Sequence, residues 1–159
     1  MVKRGYRLIL YDSSVNYNAK NYLVTGFPGF GAVGYLATKY LVDKLHLQRV
    51  GYIDTPIIPD FTSLEDYGLS LPHEIFYGEI NNKSVIVILN RINPLKSYLN
   101  SYVKSVLKLI STYKIKEAFL IGGMDSRFRE GKEEYRWLKT SHSSRTLDAP
   151  LFMRGPYII

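Results

Sequence analysis

Hydrophobic residues recur along the chain with two different spacings, which predict alternating strands and helices. Short runs of β-branched, aromatic and aliphatic residues predict strands over 6–11, 22–25, 50–53, 74–80, 84–89 and 117–121. Apolar residues three and four positions apart predict one helix over 32–45 and a second over 94–113. A short helix over 133–138 and the beginning of a last strand over 157–159 complete the prediction.

The residues between these elements indicate how the elements begin and connect. Asn93 followed by Pro94 predicts a helix N-cap with proline at the first helical position. The run Asn81-Asn82-Lys83 predicts a hairpin between the fourth and fifth strands, because asparagine tolerates a positive φ. The apolar stripe of the first helix indicates a face packed on the core, and it consists of Val33, Leu36, Ala37, Tyr40, Leu41 and Leu45.

The order of these elements predicts the fold class. Strands alternating with helices favour one α/β domain over 1–159, a three-layer α/β/α arrangement with a mixed, largely parallel sheet. In such sheets, binding sites gather at the carboxyl ends of the strands. The polar and glycine residues at those ends form a candidate pocket, namely Asp54, Asp60, Arg91, Gly122, Gly123 and Asp125. For each of them, a role in capping or in a turn competes with a role in ligand binding.

A glycine-rich loop joins the second strand to the first helix and is the most informative segment of the sequence. Gly29, Gly31 and Gly34 satisfy the G-x-G-x-x-G pattern of dinucleotide sites. Asp54 ends the next strand roughly 20 residues later, as that pattern requires. Glycines would let the backbone approach a pyrophosphate at the amino terminus of the helix. The loop therefore supports a nucleotide-binding hypothesis.

Other residues of the same loop favour a purely structural role. Pro28 removes an N–H from the turn, and Phe30 places a large apolar side chain between two glycines. No lysine follows the loop in the way that a phosphate-binding P-loop requires. In the structural interpretation, Gly26 and the other glycines permit a sharp turn and close packing of the helix on the sheet. We therefore expect no nucleotide and no other cofactor to bind here.

Composition and charge exclude several classes of chemistry. The absence of cysteine excludes disulfides, thiol nucleophiles and cysteine-ligated zinc, and it fits a cytoplasmic protein. The net charge of +7 raises the question of nucleic acid, but the basic residues are scattered and interleaved with acidic ones over 127–145. No apolar run reaches the roughly 18 residues of a membrane span. We expect neither a nucleic-acid partner nor a membrane.

No catalytic or metal-binding set stands out among the titratable residues. The histidines, His46, His73 and His142, lie far apart in the sequence and do not form a helical metal-ligand pair. There is no G-x-S-x-G nucleophile elbow, and no acid and base pair can be named. The sequence therefore predicts no catalytic residue and no metal site.

The ordered set of motifs resembles the proteasome assembly chaperone 2 family, particularly its archaeal members. The loop from Gly26 to Gly34, the helix after it and the strand ending at Asp54 resemble the opening of that family. Later parts follow in the same order: the hairpin, the Arg91-Ile92-Asn93-Pro94 segment before a helix, and a strand ending in Gly122-Gly123. The resemblance covers nearly all of the chain, but relatives normally continue further, so the carboxyl-terminal part is expected to be incomplete.

The resemblance implies a fold similar to that of purine nucleoside phosphorylases, without an established enzymatic role. It implies a non-catalytic protein-interaction module that binds proteasome α subunits or a paralogous chaperone and forms homo-oligomers. Two alternatives remain open at this point. One is a nucleotide-binding enzyme that uses Gly29, Gly31 and Gly34, and the other is an inactive phosphorylase-like protein that binds a small metabolite.

Overall fold

The fold is seen in a computed structural model that describes residues 5–11, 20–57, 59–60, 62–129 and 131–152. The chain divides into two compact units, Met1–Gly123 and Met124–Ile159. The first unit contains the main sheet and both α-helices. The described part of the second unit contains a 3₁₀ turn and a β-bridge between Trp137 and Leu151. The expectation of one domain over the whole chain stays a prediction.

The elements of the first unit follow the predicted order, and two short strands that the sequence does not predict, β4 and β5, are added after β3. The strands are β1 Arg7–Leu10, β2 Lys20–Gly26, β3 Gln48–Asp54, β4 Leu64–Glu65, β5 Gly68–Leu69, β6 His73–Ile80, β7 Lys83–Asn90 and β8 Ile115–Ile121. The helices are α1 Val33–Lys44 and α2 Leu99–Thr112. Short 3₁₀ turns, Phe30–Ala32 and Lys96–Tyr98, precede them. No helix in the described parts of the chain is long and apolar enough to span a membrane.

Six strands form one mixed sheet in the order β1-β3-β6-β7-β2-β8. The pairs β7–β2 and β2–β8 are parallel, whereas β1–β3, β3–β6 and β6–β7 are antiparallel. The prediction of a mixed sheet is therefore confirmed, and the prediction of a largely parallel one is wrong. The reason is the hairpin, which reverses the chain direction and leaves β6 between antiparallel neighbours on both sides.

The turn between β6 and β7 is built as the sequence predicts. Asn81 and Asn82 have φ values of 50° and 60°, and Ile80 pairs with Lys83 across a two-residue loop. Two positive φ values in succession match the twist of the flanking strands. Asparagine adopts this conformation more readily than other non-glycine residues.

Two predictions of helical structure are wrong. Asn93 does not cap α2, because Leu95 has extended backbone angles and α2 begins only at Leu99, after a 3₁₀ turn. The Leu95 N–H donates instead to the Tyr6 hydroxyl at 3.1 Å. No helix forms over 133–138, where Trp137 exchanges backbone hydrogen bonds with the chain near Leu151. The predicted strand over 157–159 lies outside the described residues.

The sheet separates two hydrophobic clusters, because side chains alternate between the faces of a strand. On β6, Ile75 belongs to one cluster and the adjacent Phe76 to the other. The larger cluster includes residues of α2, such as Leu109. The smaller one includes Val42 of α1. Each helix therefore contributes to a different cluster.

The side of α1 that packs on the sheet is not its apolar stripe. Gly34, Thr38 and Val42 are the buried positions, whereas Leu36 and Tyr40 are 57% and 63% exposed. The prediction that the stripe packs on the core is thus wrong for its outermost members. The physical reason is close approach, since a glycine at 34 and a hydroxyl at Thr38 bonded to the Gly34 carbonyl let the helix backbone reach the sheet.

Candidate functional site

The topology brings the carboxyl ends of four strands to one edge of the sheet. β2 is parallel to β7 and to β8, and β3 runs in the same direction because two antiparallel pairings separate it from β7. Gly26, Asp54, Asn90 and Ile121 therefore end their strands at this edge. This is the edge at which the sequence places the candidate pocket.

The glycine-rich loop forms a compact turn at this edge. The Gly29 N–H donates to the Phe27 carbonyl at 2.7 Å, and the Ala32 N–H donates to the Gly29 carbonyl at 3.0 Å. Gly31 and Ala32 both have left-handed backbone angles, with φ values of 63° and 52°. Phe30 is 56% exposed, so its ring covers little of the loop.

Three glycines of the candidate set lie where a side chain would collide with backbone. A Cβ atom at Gly34 would lie 2.5 Å from the Ile121 oxygen, and one at Gly26 would lie 2.5 Å from the Gly34 oxygen. A Cβ atom at Gly123 would lie 2.0 Å from the Phe30 oxygen. These contacts bring the end of β8 directly against the glycine loop. They are the close packing of helix on sheet that the structural interpretation predicts.

The other glycines of the set have free space around them. No atom lies within 4 Å of a Cβ atom built at Gly29 or at Gly122. Their backbones are therefore not held by close packing as those of Gly26 and Gly34 are. Pro28 lies immediately before Gly29, so the loop presents no N–H at that position.

Two of the three acidic members of the candidate pocket have partners within the fold. Asp54 accepts a hydrogen bond from the Arg7 guanidinium at 2.7 Å, across the β1–β3 pair. Asp60 is exposed in the segment after β3. Asp125, in the second unit, accepts from the Arg127 backbone N–H at 2.9 Å and caps a 3₁₀ turn. Each of these two carboxylates is paired within the fold, Asp54 across neighbouring strands and Asp125 within its own turn.

Arg91 lies in a buried ion cluster that the sequence does not predict. Glu74 is fully buried, and its two oxygens accept from Arg49 at 3.0 Å and from Arg91 at 3.2 Å. The Tyr67 hydroxyl donates to the same carboxylate at 3.1 Å. Arg91 also donates to the Tyr35 hydroxyl of α1 at 3.0 Å. Two arginines thus compensate the one buried carboxylate, as a buried charge requires.

The cluster extends outwards through Glu65, which lies 3.0 Å from Arg91 and 3.5 Å from Lys39. Burial alone would raise the pKa of Glu65. A hydrogen bond from Ser63 and the charges of Arg91 and Lys39 outweigh that effect and hold the pKa below its usual value. Burial and the nearby Glu74 carboxylate raise the pKa of Tyr67.

The side chains of this cluster link several elements of the fold to one another. All three guanidinium nitrogens of Arg91 have hydrogen-bond partners, namely Glu74, Tyr35 and Tyr67. The cluster joins β3, β6, the residue after β7, α1 and the short β4–β5 hairpin. Its charges are paired with one another, and Arg91 compensates the carboxylates of both Glu74 and Glu65.

A cavity of about 290 Å³ adjoins this cluster, and its lining includes Tyr35, Arg91, Thr62, Ser63 and Ser70. The hydroxyls that line it have hydrogen-bond partners within the protein, including the Glu65 carboxylate for Ser63 and the Arg91 guanidinium for Tyr35. Ser63 and Ser70 are 2.9 Å apart, and Thr62 donates to the Ser70 carbonyl at 2.7 Å. The cavity thus combines these bonded polar groups with apolar lining residues, namely Pro59, Leu71, Pro72 and Ile92.

A second polar network lies on the opposite face of the sheet. The Asn90 side-chain oxygen lies 2.9 Å from His73 Nδ1 and accepts from the Tyr102 hydroxyl at 2.7 Å. The Asn90 amide donates to the Thr25 hydroxyl and to the Gly26 carbonyl, both at 2.9 Å. Because that oxygen only accepts, His73 Nδ1 carries the proton. The network ties the end of β7 to the end of β2.

One atom of this network has no partner. His73 Nε2 is buried without a hydrogen bond within the described part of the chain. The rings of Tyr6 and Tyr102 pack against the imidazole, with centroids 5.4 Å and 5.1 Å away. Burial lowers the pKa of His73 to about 4, although the contact with Asn90 acts in the opposite direction. His73 is therefore neutral at physiological pH.

Sequence reasoning missed both networks, although a signal for one of them is present. Glu74 stands in a strand whose next residues are Ile75 and Phe76, so its side chain falls on the buried face with Phe76. A charged residue at such a position indicates a buried ion pair. No comparable signal marks Arg49 or Asn90. Among the described residues, no group of three histidine or acidic side chains is placed to hold a metal ion.

The mixed sheet and its helices define an α/β protein. The charged groups at the strand ends take part in ion pairs of the fold itself. A family model matches residues 23–157, and the chain belongs to the PAC2 family. The recognition made from the glycine loop and the later motifs is thereby confirmed. No match is found among curated protein sequences.

Solved structures show the same fold at low sequence identity. Pyrococcus furiosus PbaA, an archaeal homolog of proteasome-assembly chaperone, aligns with a TM-score of 0.61 and 21% identity over 79% of this chain and 51% of its own. Pyrococcus furiosus PbaB, an archaeal proteasome activator, aligns with a TM-score of 0.59 and 19% identity, over 76% of this chain and 52% of its own. A Thermoplasma acidophilum protein of unknown function aligns with a TM-score of 0.53 and 20% identity, over 65% of this chain and 42% of its own. This chain thus spans about half the length of the structures it matches.

Proposed function

We propose that the protein is a non-catalytic interaction module of the proteasome assembly chaperone type, which binds proteasome α subunits or a paralogous chaperone. Family membership and the similarity to PbaA and PbaB support this proposal. The strand-end groups support it as well, because Arg91, Glu74 and Asp54 are engaged in ion pairs of the fold itself. A nucleotide-binding enzyme remains the alternative, and it is tested below.

The observation that carries the proposal is the solvent-facing side of α1. Phe30, Val33, Leu36 and Tyr40 are 56%, 42%, 57% and 63% exposed. The last three recur at helical spacing and form one apolar stripe opposite the buried positions of α1. An exposed apolar patch of this kind marks an interaction site more often than it marks a monomer surface. We call these four residues the α1 stripe.

We also propose self-association through α2. Leu99, Val103 and Leu107 are 47%, 45% and 57% exposed and recur four residues apart, so they form a second apolar stripe on that helix. Such a stripe suits a self-complementary contact, which a second copy of the chain would supply. We further propose a cytoplasmic location and a phosphorylase-like, three-layer α/β/α arrangement, the latter supported by the separate clusters of α1 and α2.

A binding experiment with proteasome α subunits from the same organism tests the proposal. The wild-type chain should retain α subunits or a paralogous chaperone in a pull-down. Leu36→Ser combined with Tyr40→Ser should reduce retention by about tenfold, because an interface loses its central apolar contacts. Leu138→Ser serves as the matched control, since Leu138 is 60% exposed in the second unit and outside the α1 stripe. Failure of the wild-type chain to bind any α subunit or paralogue would refute the proposal.

A further inference from the structure

A groove of about 350 Å³ lies between the edge strand β1 and helix α2. Its lining includes Tyr6, Arg7 and Leu8 from the strand side, and Ser101, Lys104 and Lys108 from the helix. The groove is far from the α1 stripe, because β1 forms one edge of the sheet while α1 contacts β2, β7 and β8. It therefore represents a second surface with its own chemistry.

The strand side of the groove is an edge of β1 with which no second strand pairs in the described parts of the chain. The Tyr11 N–H donates to the Val50 carbonyl at 2.8 Å, which places the odd-numbered residues of β1 in hydrogen bonds with β3. In an antiparallel pair the alternate residues point their N–H and C=O groups away from the partner. Leu8 and Leu10 therefore direct their backbone groups outwards. No other described strand pairs with β1.

The end of this open edge is set by α2. The Tyr6 N–H, which points outwards like that of Leu8, donates to the Ser101 hydroxyl at 3.0 Å. Ser101 in turn donates to the Tyr98 carbonyl at 2.8 Å. The Ser105 hydroxyl donates to the Ser101 carbonyl at 3.1 Å. The serines of the groove are thus occupied. The outward backbone groups of Leu8 lie in the groove, and those of Leu10 continue the same strand edge beyond it.

The wall of the groove is positively charged. Lys104 and Lys108 are exposed, lie one helical turn apart, and have no ion-pair partner in the described parts of the chain. Helix α2 contains no acidic residue that could compensate them. Arg7, by contrast, is already paired with Asp54 at 2.7 Å. The two lysines are therefore the uncompensated charges of this surface.

We propose that this groove binds an extended acidic peptide segment of a partner protein, which adds a strand to the edge of β1. Backbone hydrogen bonds to Leu8 and Leu10 would provide the pairing, as in other cases of strand addition. Side chains on one face of an extended chain repeat about every 6.7 Å, and the Cβ atoms of Lys104 and Lys108 are about 5–6 Å apart. Carboxylates at alternate positions of the peptide therefore match the two lysines.

The groove requires a ligand that is both acidic and extended. A neutral strand would leave the repulsion between Lys104 and Lys108 unrelieved. An acidic segment without extended structure would leave the edge groups of Leu8 and Leu10 unpaired. The ligand class is thus a segment with the pattern acidic–any–acidic in β conformation, and the proposal is independent of what binds the α1 stripe.

The test uses a fluorescein-labelled octapeptide with glutamate at alternate positions and valine between them. Fluorescence anisotropy measures its binding to the full chain. We expect saturable binding that is lost when lysine replaces the glutamates. N-methylation of either the glutamate amides or the valine amides leaves the charge unchanged, but only one of these sets faces β1. One methylated peptide should therefore lose about tenfold in affinity, and the other should retain binding.

Two charge-reversal variants locate the site on the protein. Lys104→Glu combined with Lys108→Glu should weaken binding about tenfold or more, because two attractive contacts become repulsive. Lys44→Glu combined with Lys116→Glu is the matched control, since it changes the net charge equally at two exposed lysines outside the groove. The Leu36→Ser variant should bind the peptide normally, which separates this proposal from that for the α1 stripe.

Three results would overturn the proposal. Equal losses in both double lysine variants would indicate attraction to overall charge alone. Equal binding of both N-methylated peptides would show that no strand is added, and tighter binding of single-stranded RNA would show that the groove recognises a different class of ligand. Amide hydrogen exchange offers a further check, because Leu8 and Leu10 should be protected by the peptide and unprotected without it. Circular dichroism confirms that each variant is folded.

Discussion

Replacing His73 with asparagine should remove much of the acid sensitivity of the fold. His73 is fully buried, and a proton added at Nε2 would find no acceptor among the described residues. Burial lowers the pKa of His73 from 6.5 to about 4, and the contact with Asn90 offsets this only in part. The unfolded chain therefore binds a proton at a pH where the folded chain keeps the ring neutral.

The size of this effect follows from the difference between the two pKa values. Each pKa unit corresponds to about 1.4 kcal/mol. Because the folded-state pKa of His73 is the lower one, its contribution is fully present above pH 6.5 and is lost as the pH falls towards 4. Between pH 7 and pH 5, the free energy of unfolding should fall by about 2 kcal/mol through this residue alone.

Urea unfolding at several pH values between 7 and 5 measures this loss directly. His73→Asn keeps an N–H donor near the position of Nδ1 but cannot titrate, so its stability should depend much less on pH. His46→Asn is the matched control, because it also removes a histidine, His46 is exposed, and its φ of 49° is one that asparagine tolerates.

Two results would refute the reasoning about His73. One is a pH slope in His73→Asn as steep as that of the wild-type chain. The other is an NMR titration of the wild-type chain in which the imidazole of His73 protonates near pH 6.5. The second measurement also covers the case in which the His73→Asn variant fails to fold.

The remaining predictions concern packing, ligands and assembly. Gly34→Ala should destabilise the fold by about 2 kcal/mol or more in urea unfolding, because its Cβ would lie 2.5 Å from the Ile121 oxygen, whereas Gly29→Ala should be nearly neutral. Calorimetric titration with NAD or ATP should give no saturable heat, and a micromolar constant abolished by Gly31→Val would favour the nucleotide-binding alternative. Sedimentation equilibrium should show self-association that Leu107→Ser weakens, and a monomer at high micromolar concentration would contradict it.

Local signals predicted the elements of the sheet well. The strands over 74–80 and 84–89 and the asparagine turn between them were predictable, because the apolar runs and positive-φ residues act over a few positions. The start of α2 was not predictable in the same way. Asn93 carries a capping signal, but the hydroxyl of Tyr6, 89 residues away in sequence from Leu95, takes part in the turn instead.

In the candidate site too, features set by neighbouring residues were predictable, whereas contacts between residues distant in sequence were not. The glycines of the loop were predictable as a turn with close packing, because glycine patterns reflect backbone geometry. The partners of Arg91 were not, since Glu74, Tyr67 and Tyr35 come from three separate elements. The face of α1 that packs on the sheet also could not be predicted from its apolar stripe. Hydrophobic spacing identifies an apolar face of a helix, but it does not identify what covers that face.

Helix α1 contacts the sheet through backbone atoms at Gly26, Gly34 and Gly123. The position of the helix on the sheet therefore does not depend on which residues occupy its outer face. Main-chain atoms fix the helix in place, so substitutions on its outward side can accumulate at little cost to folding. Related proteins can therefore differ in the partners they bind while they keep the same fold. Exchanging the outward residues of α1 between two such relatives should accordingly transfer binding preference without redesign of the interior.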